Sequence, residues 1–269
     1  MMTNGTNPKA ALDTSYEFFP SVRRGYRPAA DRAFESGAAS LKGRTEFGVA
    51  LTVEGQQPDA ETWETAETQP SVDIRMYGPG DVTGIDERQV VRVEPEPETT
   101  TFPPNYFPLV EFARPDLPWL FSPERANPSK GGKHRPWLCL AVVEADGDDV
   151  SFEAAGTRPL PTVTAPVTQL PPVGECWAWA HVQVVGELSE RQLERAFTTR
   201  SSQSVARLLC PRNLDPNTRY RAGLVPTFEP GRRVGLGKAP FETSGGSDAP
   251  PPTVDLAWPT RNGASDGAT

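Results

Sequence analysis

NYFPLVEFARPDLPWLFSPERANPSKGGKHRPWLCLAVV, residues 105–143, is the stretch on which the fold turns. Two apolar runs, 106–112 and 136–143, flank a segment carrying Pro115, Pro118, Pro123 and Pro128. Each proline lacks a backbone donor and clashes with the preceding helical turn, so no helix can run through this segment. The pattern predicts strand, long ordered loop, strand. The same stretch holds Tyr106, Phe107, Trp119, Phe121 and Trp137, rings held between prolines. Such rings could offer a rigid patch to a partner subunit at low entropic cost. They could equally cover one open end of a barrel or sandwich, and the residues alone leave both readings standing.

Upstream, residues 44–54 alternate with Phe47, Val49, Leu51 and Val53 on one side, and 71–76 alternate with Val72, Ile74 and Met76, so both read as strands. Tyr77-Gly78-Pro79-Gly80-Asp81 is a turn by its glycines and proline. Residues 89–93 read as a short strand and 94–104, with three prolines, as an extended connection. Downstream, 137–144 and 150–155 flank Asp146-Gly147 and predict a hairpin, because glycine accepts positive φ. Residues 160–164, 174–185 and 220–228 read as further strands. Ser189 with Gln192 matches a capping box and Leu188 with Leu193 a hydrophobic staple, which predicts a helix over 190–198. Residues 202–209 suggest another helical turn or two. The expected architecture is mainly β, a sandwich or distorted barrel with one short helical insert and long proline-rich loops. It forms one domain over 16–238, between a disordered N-terminal arm (1–15) and a flexible Gly/Ser/Pro-rich tail (239–269) in which only 254–258 could pack on anything.

A net charge of −8 in 269 residues repels nucleic acid and anionic membranes at long range. No apolar run approaches the ~18 residues a membrane span needs, and residues 1–18 lack the apolar core of a secretory leader. Three cysteines make no disulfide framework, so a reducing cytoplasm is the expected setting.

Catalytic chemistry finds little to work with. His134, His181, Cys139, Cys176 and Cys210 could supply zinc ligands in number. On one strand, however, Cys176 and His181 lie an odd number of residues apart and face opposite sides. Neither Gly132-Lys133 nor Gly237-Lys238 completes a phosphate loop, and no Gly-x-Ser-x-Gly elbow occurs. Lys130, Lys133, His134 and Arg135 form a basic cluster that reads as solvated strand-entry charge. Glu111 and Asp116 read as partners of Arg114 or Arg135 rather than an acid/base pair. Asp146, Asp148 and Asp149 fall in a loop too short for calcium. The expectation is therefore no enzyme, no metal and no cofactor. The alternatives are a metal-dependent hydrolase using His134 and His181, or a sugar- or peptide-binding β module using Trp119 and its neighbouring rings.

The blocks Phe18-Phe19-Pro20-Ser21-Val22-Arg23-Arg24-Gly25, Tyr77-Gly78-Pro79-Gly80-Asp81-Val82-Thr83-Gly84-Ile85-Asp86, Pro104-Asn105-Tyr106-Phe107-Pro108, Asp116-Leu117-Pro118-Trp119, Arg135-Pro136-Trp137-Leu138, Trp177-Ala178-Trp179-Ala180-His181-Val182 and Arg207-Leu208-Leu209-Cys210-Pro211 follow one another in order. Together, over about 16–237, they resemble an uncharacterised family encoded beside tail-tube, sheath and baseplate genes of phage-tail-like contractile injection systems. The resemblance implies a structural part of such a particle, near the baseplate, whose partners are other protein subunits. It supplies no catalytic residues.

Overall fold

The computed structural model describes residues 15–22, 46–50, 53–56, 65–68, 71–75, 77–124, 133–186, 188–198, 203–241 and 254–258. Its strands are β1 (Tyr16–Phe19), β2 (Glu46–Ala50), β3 (Val53–Gln56), β4 (Thr65–Thr68), β5 (Ser71–Arg75), β6 (Val90–Glu94), β7 (Leu109–Phe112), β8 (Leu138–Glu144), β9 (Ser151–Glu153), β10 (Thr162–Thr164), β11 (Ala180–Val185), β12 (Ser204–Leu209) and β13 (Tyr220–Pro226). The helices are α1 (Glu190–Thr198) and α2 (Glu229–Gly235). The protein is mainly β. An antiparallel sheet in the order β1-β11-β12-β7-β6 is accompanied by the two-stranded ribbons β8–β13, β9–β10, β2–β5 and β3–β4.

Period-two alternation sorts the sheet's side chains. Val110 and Phe112 of β7, Val182 and Val184 of β11, and Ala206 and Leu208 of β12 turn to one face and are buried. There they meet Leu138, Leu140 and Val142 of β8 in one hydrophobic core. The intervening Cys139 lies on the other side of β8 with Val173 and Cys176, next to Leu256 and Trp258. Strand β8 is thus covered on both faces, as its near-continuous apolar sequence demands. Each large side chain fully buried in this way contributes about 1.5–3 kcal/mol.

The loop between β7 and β8 closes one side of the core. Trp119 donates its indole N–H to the His134 carbonyl at 3.0 Å and Trp137 donates to the Leu117 carbonyl at 2.7 Å. A buried indole needs such a partner, and the two bonds tie the ends of the loop across it. Phe121 packs edge-on against Trp137, with ring centroids 5.0 Å apart. Arg114 and the buried Asp116 pair at 2.6 Å.

The helix over 190–198 forms as its sequence requires. The Ser189 backbone N–H and hydroxyl both donate to the Gln192 side-chain oxygen, at 2.9 and 2.8 Å, and Leu188 and Leu193 lie against the core. Four expectations are corrected. The strand after Asp146-Gly147 does not return along β8, which pairs with β13, while β9 pairs with β10. The left-handed residue of that turn is Asp149 (φ 61°), not the glycine. Residues 204–209 form β12 instead of helical turns, with alternating burial from Ser204 onward. The strand expected over 174–185 begins only at Ala180, because Val173–Trp179 is coiled into 3-10 turns. Residues 254–258, the part of the tail expected to be able to pack, are docked: Phe228 bridges Leu256, Ala257 donates to the Thr227 carbonyl at 2.9 Å, and the Trp258 indole donates to the Pro171 carbonyl at 2.9 Å. That part of the tail belongs to the domain. The N-terminal arm lies outside the described residues except Ser15, and Lys130 lies outside them too.

Candidate interaction surface

The alternation that buries one face of the sheet fixes the chemistry of the other. Glu111 of β7, Arg207 of β12, and His181 and Gln183 of β11 project outward, and register partners place Arg92 of β6 and Phe18 of β1 beside them. Arg207 Nε donates to Glu111 at 2.5 Å, and Arg207 Nη1 donates to the Gln183 side-chain oxygen. Arg92 pairs with Glu94 at 2.6 Å and approaches Glu111 at 3.9 Å. Glu111 is 6 % exposed although it lies on the open face, because arginines flank it on both sides. A carboxylate so enclosed depends on those cations, since an unpaired buried charge is costly.

Around this charged ladder lie exposed apolar groups. Tyr16 is 48 % exposed, Phe18 60 % and Val185 40 %. Phe18 meets the His181 ring edge-on at 5.5 Å. Where β7 and β11 begin, Phe107 lies 5.9 Å from Trp179 in the same edge-to-face manner, and Tyr106 is exposed beside it. Tyr16, Phe18, Val185, Tyr106 and Phe107 are thus open to solvent. Burial holds the His181 imidazole below its ordinary range, and the Arg207 charge adds to that while Glu111 opposes it.

The five rings expected to act together are divided by the structure. Trp119 is 0 % exposed and Trp137 3 %, so both are core residues and neither can meet a partner or a sugar. Phe121 is half-buried against Trp137. Only Tyr106 and Phe107 reach the surface. The stiffening prolines therefore serve chiefly to close the core, the covering role that the sequence had offered as its other reading.

The candidate metal ligands are likewise scattered. Cys139, Cys176 and Cys210 are free and buried. Burial pushes the Cys139 thiol up to about 12 and Cys210 to about 11, and holds Cys176 well above its ordinary value. The Thr227 hydroxyl acts weakly the other way on Cys139 and Cys176. Protonated, desolvated thiols are poor nucleophiles and poor ligands. His134 is buried before β8, whereas His181 belongs to the sheet's outer face. Among the described residues, no three His, Cys, Asp or Glu side chains are grouped to hold a metal. The basic cluster is engaged as well: Lys133 lies 4.4 Å over the Trp177 ring, and Arg135 pairs with Glu124 at 2.5 Å. Asp146 pairs with Arg219 at 2.5 Å. Among the described residues no helix is long and apolar enough to cross a membrane.

The sequence offered Arg114 or Arg135 as partners for Asp116 and Glu111; Asp116 pairs with Arg114, and Glu111 pairs with neither. Its partner Arg207 is 96 residues away. The available signal was a lone acid at an alternate position in the apolar run Leu109–Phe112. Comparison of the chain with protein-family models, curated proteins and solved structures gives no match.

Proposed function

We propose that this chain is a non-enzymatic structural subunit of a phage-tail-like contractile injection particle, associated with its baseplate and docked through the outer face of the five-stranded sheet. One observation carries the reading. Blocks far apart in sequence meet on that face: Phe18 touches His181 at 5.5 Å, and His181 is the register partner of Arg207. Phe107 and Trp179, from two more positions in those blocks, meet at 5.9 Å along one end of it. Exposed rings surrounding a fixed charge pair are the composition of a protein interface, where aromatics anchor and paired charges set register. The metal-dependent hydrolase finds no support in the separate settings of His134 and His181.

The test is biochemical. Contractile particles purified from producing cells are expected to retain this chain through a density gradient. A double Phe18→Asp, Phe107→Asp variant should fold and yet be missing from them. Particles that lack the wild-type chain, and assemble normally in a strain from which it has been deleted, would overturn the proposal.

A further inference from the structure

The two edges of the main sheet are built differently. Strand β6 carries a register irregularity between Val90 and Arg92 and the charged pair Arg92–Glu94, devices that discourage a further strand. Strand β1 has a continuous register with β11, a single charge and two exposed rings. Gly186 donates to the Ser15 carbonyl at 2.7 Å, which makes Ser15 and Gly186 a hydrogen-bonded pair. Because such pairs alternate along an antiparallel ladder, Glu17 and Phe19 also face β11. The backbone N–H and C=O of Tyr16 and Phe18 therefore point away from the sheet, and among the described residues no strand receives them.

We infer that β1 accepts an extended segment of a partner protein as a sixth, antiparallel strand. The segment would carry β-branched or aromatic residues opposite Tyr16 and Phe18 and a Lys or Arg opposite Glu17. Charge decides against a second copy of this chain as the occupant. Two-fold antiparallel pairing of β1 with itself, matching Tyr16 to Phe18, sets Glu17 against Glu17 between chains that each carry −8. Like charges directly opposite one another destabilise a strand pair, and opposite charges stabilise it. A basic strand satisfies the edge, and its outer side chains continue the apolar rim of Tyr16, Phe18 and Val185.

The inference names the partner chemistry for the docking face proposed above and rests on that reading, but it is tested without particles. The probe is a short fluorescent peptide of alternating Thr and Val with a central Lys, titrated against the full chain and compared with the same peptide carrying a central Glu. The Lys peptide is expected to bind about fivefold more tightly. Phe18→Pro and Tyr16→Pro each remove one outward N–H while sparing the bonds to β11, and each should weaken binding at least about tenfold with the melting temperature nearly unchanged. Phe18→Thr, which keeps the N–H, should bind within about threefold of wild type. Equal affinity for the two peptides, or full binding by both proline variants, would overturn the inference. So would a dimer of the wild-type chain that Phe18→Pro dissolves, since it would make the second copy the occupant. Loss of the chain from particles together with intact peptide selectivity would sink only the particle reading.

Discussion

The inner and outer faces of the five-stranded sheet are made from the same strands and differ in almost everything else. Inward, Phe112, Val182, Val184, Ala206 and Leu208 are shut against β8 and against the tryptophans of the long loop. Outward, a Glu111–Arg207–Gln183 ladder is bordered by rings open to solvent. One face is satisfied within the chain, and the other has its charges paired but its apolar groups uncovered. The contrast places the buried apolar groups and the solvent-facing groups on alternate residues of one strand, so each set can be altered separately.

Trp119→Ala should cost most, about 4 kcal/mol of unfolding free energy in a denaturant titration, because it opens a large cavity and removes the indole bond to the His134 carbonyl. Glu111→Ala should follow at about 3 kcal/mol by the same measurement, since it leaves Arg207 largely buried without its carboxylate. If Glu111→Ala were neutral, the ladder would be surface decoration and the outer face would add nothing to stability, contrary to the burial of Glu111.

A smaller effect belongs to His181. Its folded pKa is depressed, so the unfolded chain binds more protons in the window just below the ordinary histidine value of about 6.5. The stability it contributes is complete above that value and is lost as pH falls through the folded pKa. His181→Asn should flatten this part of the stability–pH curve, and an unchanged curve would count against the crowding of His181 by burial and Arg207. Smallest of all, Phe107→Ser should shift stability by no more than about 0.5 kcal/mol, because the ring is half-open and its packing is mainly on Trp179.

The inner face was largely legible in the sequence, and the outer face was not. Strands β7 and β8 follow from apolar runs bounded by prolines, and α1 from Ser189 and Gln192, because those signals are local. The Asp146-Gly147 turn misled for a long-range reason. Strand β8 is apolar on both faces and needs a long partner buried with it, which the half-buried β13 supplies and the three residues of β9 cannot. Strand β12 was obscured because its inward positions include Ser204 and Ala206, too small and weakly apolar to show period two. Helix α2 was missed because Pro230, Gly231 and Gly235 argue against a helix. Tertiary fit outweighs that propensity: a Cβ at Gly231 would lie 2.9 Å from the Pro226 Cβ, so only glycine lets the helix approach β13. The pairing of Glu111 with Arg207 could not be read at all, since nothing local joins residues so distant along the chain.

Hydroxyl-radical footprinting of the free chain and of the chain within purified particles tests the proposed docking face most directly. Tyr16, Phe18, Tyr106 and Phe107 should be modified in the free chain and protected in the particle, while Tyr77, 70 % exposed and in none of the sheet's strands, serves as reference and should react equally in both. Equal labelling of all five rings in the two states would contradict the account.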